Sequence, residues 1–119
     1  MLVDDDEDDR EVFMEVLESI SPEASCLLAV NGRDALTKLK TLKSTPEIIF
    51  LDLNMPLMDG RQFLKEVKAR PTLRDIPIVV LTTTSDKATM TETISLGAKD
   101  FVTKPVRYSD WRQVLRSFI

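Results

Sequence analysis

Ile48-Ile49-Phe50-Leu51-Asp52-Leu53-Asn54-Met55-Pro56 is an apolar run that closes on a carboxylate and then turns at a proline. A second run, Ile76-Pro77-Ile78-Val79-Val80-Leu81, ends on Thr82. Both are nearly continuous Ile, Val, Leu and Phe without a helical period. That is the pattern of strands covered on both faces in a parallel sheet. Leu27 to Val30 and Phe101-Val102 are shorter runs of the same kind. Met1 to Val3 is a first strand with roughly half of the usual 5–6 residues, as if trimmed at its N-terminus.

Helical stripes alternate with these runs. Val12, Phe13, Val16, Leu17 and Ile20 share one helix face, which Ser21-Pro22 terminates. Ala35, Leu36, Leu39 and Leu42 make a second stripe, ended by Pro46. Phe63, Leu64 and Val67 make a third, which Asp59 caps with Gln62 at the capping-box position and Pro71 ends. Trp111, Val114, Leu115 and Phe118 form the last. Residues 86–97 are Thr-rich, with few apolar anchors (Ala88, Met90, Ile94) and poor helix propensity. Strand and helix in regular succession predict an α/β doubly wound fold with a five-stranded parallel sheet. The length of 119 residues suits one domain, residues 1–119.

Composition narrows the function. No apolar run reaches the roughly 20 residues of a membrane span, and the acidic start is unlike a signal peptide, so a cytoplasmic protein is expected. The formal charge is −4 and the 16 Lys and Arg are scattered, which argues against direct nucleic-acid binding. His is absent, so metal or acid–base chemistry must rest on carboxylates, Lys and hydroxyls. Oxygen ligands point to Mg²⁺, or Mn²⁺, and away from zinc. The single Cys26 reads as a small buried hydrophobe.

In an open parallel sheet, ligands gather beyond the carboxyl ends of the strands. The first strand delivers Asp4 and Asp5 there, the third Asp52, the fourth Thr82 and the fifth Lys104-Pro105. Three carboxylates would repel one another unless a cation intervened. One Mg²⁺ and Lys104 balance the charge of Asp4, Asp5 and Asp52. Asp52 is then a candidate nucleophile that forms an acyl phosphate, Thr82 a hydroxyl donor and Lys104 a fixed cation. Taken singly, each is ordinary: the acidic run Asp4 to Asp9 suits a solvated helix start, and Asp8 with Glu11 fits a capping box. Their combination carries the reading.

That ordered set resembles the response regulator receiver domains of two-component systems, over the whole chain. The matching motifs are Val3-Asp4-Asp5-Asp6, Ile49-Phe50-Leu51-Asp52-Leu53-Asn54-Met55-Pro56 with Met58-Asp59-Gly60, Val80-Leu81-Thr82, and Phe101-Val102-Thr103-Lys104-Pro105. Asp6 extends the acidic pair; Asp4-Asp5 is preferred because it directly follows Leu2-Val3. The resemblance implies a flavodoxin-like (βα)5 fold and a phosphorylation-dependent switch rather than an enzyme with an external substrate. It implies phosphorylation of Asp52, metal binding by Asp4, Asp5, Asp52 and the Asn54 carbonyl, and phosphoryl contacts from Thr82 and Lys104. Lys104 is expected to pair with Asp52 before phosphorylation, Phe101 to act as the switch aromatic, and Lys104-Pro105 to be a cis peptide. Thr83 replaces a commoner Ala or Gly and is expected to slow access to Asp52. The implied partners are a sensor histidine kinase or phosphotransfer protein upstream and a protein target, or a second copy forming a phosphorylation-dependent homodimer, downstream. Residues 83–97, the strand at 99–103 and a helix starting near Ser109 are the expected switching surface. Nothing in this sequence after Ile119 supplies an output domain, so output is expected through partner binding; a segment of a longer protein would read identically.

Two other classes share parts of this pattern. A haloacid-dehalogenase-like, Mg²⁺-dependent aspartyl-phosphate phosphohydrolase wants Asp-x-Asp, and Asn54 occupies the second acidic position. A flavodoxin-like cofactor binder wants a phosphate-cradling first loop, which Asp4-Asp5-Asp6 would repel.

Overall fold

The computed structural model describes residues 1–119. Five strands alternate with five helices: β1 (Leu2–Val3), α1 (Glu7–Ile20), β2 (Leu28–Ala29), α2 (Gly32–Thr41), β3 (Ile49–Leu51), α3 (Gly60–Lys68), β4 (Ile78–Thr82), α4 (Lys87–Ser95), β5 (Asp100–Thr103) and α5 (Tyr108–Phe118). All strands pair in parallel, in the order β2-β1-β3-β4-β5. The chain therefore winds outward in both directions from β1, leaving its crevice between β1 and β3.

Alternation along the strands divides the core between two faces. Val3, Ile49, Leu51, Ile78 and Val80 join the helix residues Leu36, Leu39, Phe63, Leu64 and Val67. Leu2, Phe50, Val79 and Leu81 join Phe13, Val16, Leu17, Trp111 and Leu115. Residues i and i+1 of each central strand thus feed opposite layers, which is why no polar residue interrupts them.

Local chemistry sets the helix starts. Asp59 and Gln62 form the expected capping box of α3. Helix α1, however, is capped by Asp6, whose Oδ1 accepts the Asp9 N–H at 3.0 Å, and not by Asp8. Any acid of the run could accept that bond; Asp6 does so because its backbone is still extended as it leaves β1 (φ −85°, ψ 115°). Glu7, Asp8 and Asp9 then fill the first turn, where the helix dipole favours negative charge. The expected apolar anchors of α4 also move: Ala88, Met90 and Ile94 are exposed, and Thr93 is the buried residue. Its hydroxyl is satisfied within the helix by the carbonyls of Thr89 and Met90. Cys26 is half-buried rather than buried, and burial pushes its thiol pKa up.

Candidate functional site

The backbone ladder brings the chemical groups to one rim. Asp52 N–H donates to the Val3 carbonyl at 2.9 Å, so Asp52 emerges beside Asp4 and Asp5. Lys104 N–H donates to the Thr82 carbonyl at 2.7 Å, which ties the ends of β4 and β5 together. Gly60, at the start of α3, sits against the Asp52 backbone: a Cβ there would lie 2.5 Å from the Asp52 carbonyl oxygen. Only glycine lets α3 close over that strand end. In the loop before it, Leu57 adopts φ 67° while 74% exposed, a left-handed conformation that is costly for a branched side chain.

One carboxylate oxygen from each of Asp4, Asp5 and Asp52 lies within 4.8 Å of the others. Asp4 and Asp52 are buried and Asp5 is exposed, so the cluster opens to solvent on the Asp5 side. Burial drives the Asp52 carboxyl up to about 6; the Lys104 ammonium opposes the shift, and the charges of Asp4 and Asp5 reinforce it. Asp4 is raised as well, chiefly by burial, against hydrogen bonds from Asp6 N–H and Lys104. With Asp4 and Asp52 holding their protons more tightly than usual, the cluster is short of positive charge. Three oxygen donors without nitrogen or sulfur suit a hard dication, so the residues present fit such an ion.

Lys104 makes the expected ion pair with Asp52, but it lies closer to two other carboxylates. Its Nζ lies 2.8 Å from Asp9 Oδ2, 2.9 Å from Asp4 Oδ2 and 3.7 Å from Asp52 Oδ1. Asp9 and Asp4 are therefore its hydrogen-bond partners, and Asp52 is a weaker ionic neighbour. Burial alone would lower the Lys104 pKa, but bonds to Asp9 and Asp4 and the charges of Asp4 and Asp52 outweigh it, and the net shift is upward. Sequence reasoning assigned Asp9 only to the helix start; nothing local marks it as a partner 95 residues from Lys104. The Lys104-Pro105 bond, like every other peptide bond here, is trans. The trans form of an X-Pro bond is lower by about 0.5–1 kcal/mol where packing does not oppose it.

The remaining expected residues fall near the rim in different environments. Thr82 is fully buried at the end of β4, and its hydroxyl oxygen lies 3.5 Å from the Thr84 N–H. Phe101 pairs with Val80 in register and is half-buried against the α2/α3 layer. Asn54 and Thr83 are exposed.

Residues 1–116 match the family model of the response regulator receiver domain. The chain belongs to that family. It is 42% identical over 108 residues to a protein-glutamate methylesterase/protein-glutamine glutaminase of Clostridium acetobutylicum, covering 88% of this chain but 30% of that protein. The esterase activity in that name belongs to the longer protein. Response regulator Rcp1 of Synechocystis is 31% identical over 115 residues, covering 92% of this chain and 78% of Rcp1. Among solved structures, the phosphorylated cyanobacterial phytochrome response regulator RcpA superposes with a TM-score of 0.89 at 30% identity, covering 98% of this chain and 87% of that one. An Mn²⁺-bound form of Rcp1 superposes with a TM-score of 0.86, at 30% identity and over 98% and 88% of the two chains.

This receiver domain has the flavodoxin-like fold of its relatives and is a phosphorylation-dependent signalling switch of the two-component type. Receiver domains bind a divalent metal through acidic residues, and they act between a phosphodonor and downstream partners. No helix is long and apolar enough to cross a membrane.

Proposed function

We propose that residues 1–119 form one receiver domain that accepts a phosphoryl group on Asp52 from the phosphohistidine of a sensor kinase or phosphotransfer protein. The observation that supports this best is the convergence of Asp52 with Asp4 and Asp5 within 4.8 Å, with the Lys104 ammonium 3.7 Å away. An Asp52 oxygen attacks phosphorus, the phosphorus–nitrogen bond breaks, and an acyl phosphate results. Attack requires the carboxylate form, and with its pKa near 6 Asp52 is mostly ionised at neutral pH.

Asp4, Asp5, Asp52 and the backbone carbonyl of Asn54 would hold Mg²⁺, which would neutralise the acidic rim and let the phosphoryl oxygens approach. Thr82 donates its hydroxyl to one of those oxygens, and Lys104 supplies fixed charge to another. Phosphorylation turns one negative charge into about two and adds three acceptor oxygens. Thr82 follows them, Phe101 fills the space behind it, and the surface over residues 83–103 changes for a protein target or a second copy of the domain. The chain turns over no external substrate; its chemistry is its own phosphorylation and dephosphorylation.

Intact mass after incubation with acetyl phosphate and Mg²⁺ tests the assignment. One added phosphoryl group in the wild type and none in Asp52→Asn is the expected result. Full labelling of Asp52→Asn would remove Asp52 from the role.

A further inference from the structure

We propose that Asp9 is a positioning residue for Lys104, holding its ammonium on the α1 side of the rim and competing with the phosphoryl group for it. The inference rests on Asp52 as the phosphoacceptor and adds a residue from outside the family motifs quoted above.

A lysine ammonium has three N–H donors. Two of them are engaged, by Asp9 Oδ2 at 2.8 Å and Asp4 Oδ2 at 2.9 Å, while Asp52 stands off at 3.7 Å. The Lys104 side chain is 7% exposed and that of Asp4 2%, so water competes little there, while the Asp9 side chain, 32% exposed, keeps one side in solvent. Asp9 is itself well placed to hold its share. It lies in the first turn of α1, and its backbone N–H is fixed to the Asp6 cap. A helix start welcomes an acid there for its dipole, but the dipole does not require a bond to a lysine at the end of β5, three strands from β1.

The consequence follows from the order of charges. A dication bound by Asp4 and Asp52 would share their negative charge. Asp9 would then be the partner with the fullest claim on Lys104. For the ammonium to reach a phosphoryl oxygen, its bond to Asp9 must stretch or break. Asp9 therefore disfavours the phosphorylated arrangement, and phosphorylation loosens the tie between the start of α1 and the end of β5.

Beryllofluoride with Mg²⁺, a phosphoryl mimic, gives the test by titration. Asp9→Asn and Asp9→Ala should bind it more tightly, on the order of 10-fold for one released charged hydrogen bond. Asp9→Glu, which restores the charge, should return most of the way to wild type. Asp8→Asn removes the same charge from the same exposed helix turn without touching Lys104, and should change affinity little. In metal-free protein the Lys104 ¹⁵Nζ resonance should shift in Asp9→Asn and stay in Asp8→Asn. Melting temperatures identify any variant that has lost its fold; Asp9→Asn keeps the shape of the side chain and is the one to rely on.

Equal tightening by Asp8→Asn and Asp9→Asn would reduce the effect to general repulsion and overturn the positioning role. So would unchanged or weaker binding in Asp9→Asn, or an Asp9→Glu that behaves like Asp9→Asn. A wild type that takes neither beryllofluoride nor a phosphoryl group would overturn the Asp52 reading first, and this one with it.

Discussion

Helices α1 and α4 pack on the same sheet by different means. Helix α1 has 14 residues and buries Phe13, Val16 and Leu17. Phe13 meets Phe50 edge-on at 5.1 Å and Trp111 at 6.4 Å, joining helix, strand and α5 in one aromatic group. Helix α4 has nine residues and buries only Thr93. Met90 is 40% and Ile94 44% exposed, so its apolar side chains face solvent at least in part. Burying one large apolar side chain is worth about 1.5–3 kcal/mol, and α1 has three such residues where α4 has none. The carboxylate rim lies near the starts of both helices, but α4 is the one that a small change can move.

Truncation gives the largest contrast. Phe13→Ala should destabilise the domain by about 3–5 kcal/mol, through lost burial and the cavity left among Phe50 and Trp111. Ile94→Ala, an equally apolar change on α4, should cost no more than about 1 kcal/mol because its side chain is already half solvated. Urea unfolding followed by Trp111 fluorescence reads both. Comparable losses at the two positions would mean that α4 is anchored as firmly as α1.

A second difference concerns the rim itself, which is strained by charge while the apolar layers are not. Burial raises Asp52 to about 6, above the value of about 3.9 for an unfolded chain. A raised carboxyl contributes stability that is complete below the unfolded pKa and lost as pH rises through the folded one. Asp4 shifts in the same direction. In metal-free protein, Asp52→Asn should therefore gain on the wild type as pH rises from about 4 to 7, reaching on the order of 1–3 kcal/mol. Saturating Mg²⁺ should narrow the gap by stabilising the wild type selectively. Urea melts with chelator, at intervals across that range, check it. A gap that is constant with pH would mean that Asp52 ionises without cost in the fold.

The parts of this molecule that could be read from sequence are those governed by local rules. Ile49 to Leu51 and Ile78 to Thr82 are strands because both of their faces are covered, and continuous apolar residues record that directly. Asp59 and Gln62 cap α3 through a pattern only four residues long. Asp4, Asp5, Asp52, Thr82 and Lys104 gather because parallel strands all end on one rim, so topology alone brings them there. What could not be read depends on choices between near-equal partners. Six consecutive acids, Asp4 to Asp9, offered several caps and several mates for Lys104. The exit angle from β1 selected Asp6 as the cap, and the helix turn it started carried Asp9 to Lys104. The exposure of Met90 and Ile94 was equally hidden, since a short helix with three apolar residues can turn either side inward.

Arg61 of α3 and Glu92 of α4 form an ion pair, with side chains 33% and 50% exposed. A pair this exposed contributes about 0.2–1 kcal/mol to global stability, so Glu92→Gln should barely alter a urea melt. Locally the same energy weighs more. Helix α4 has one buried side chain and this tether, and its amides should exchange through local opening rather than global unfolding. Losing up to about 1 kcal/mol from the closed state speeds such exchange by up to about 5-fold, because 1.4 kcal/mol corresponds to tenfold. Glu92→Gln should therefore accelerate the backbone amides of Met90 to Leu96 and leave those of Phe13 to Leu17 at the wild-type rate. Hydrogen exchange by NMR resolves the two sets in one sample. Acceleration shared equally by α1 would mean that the helices open together, and no acceleration in α4 would mean that the tether carries no load.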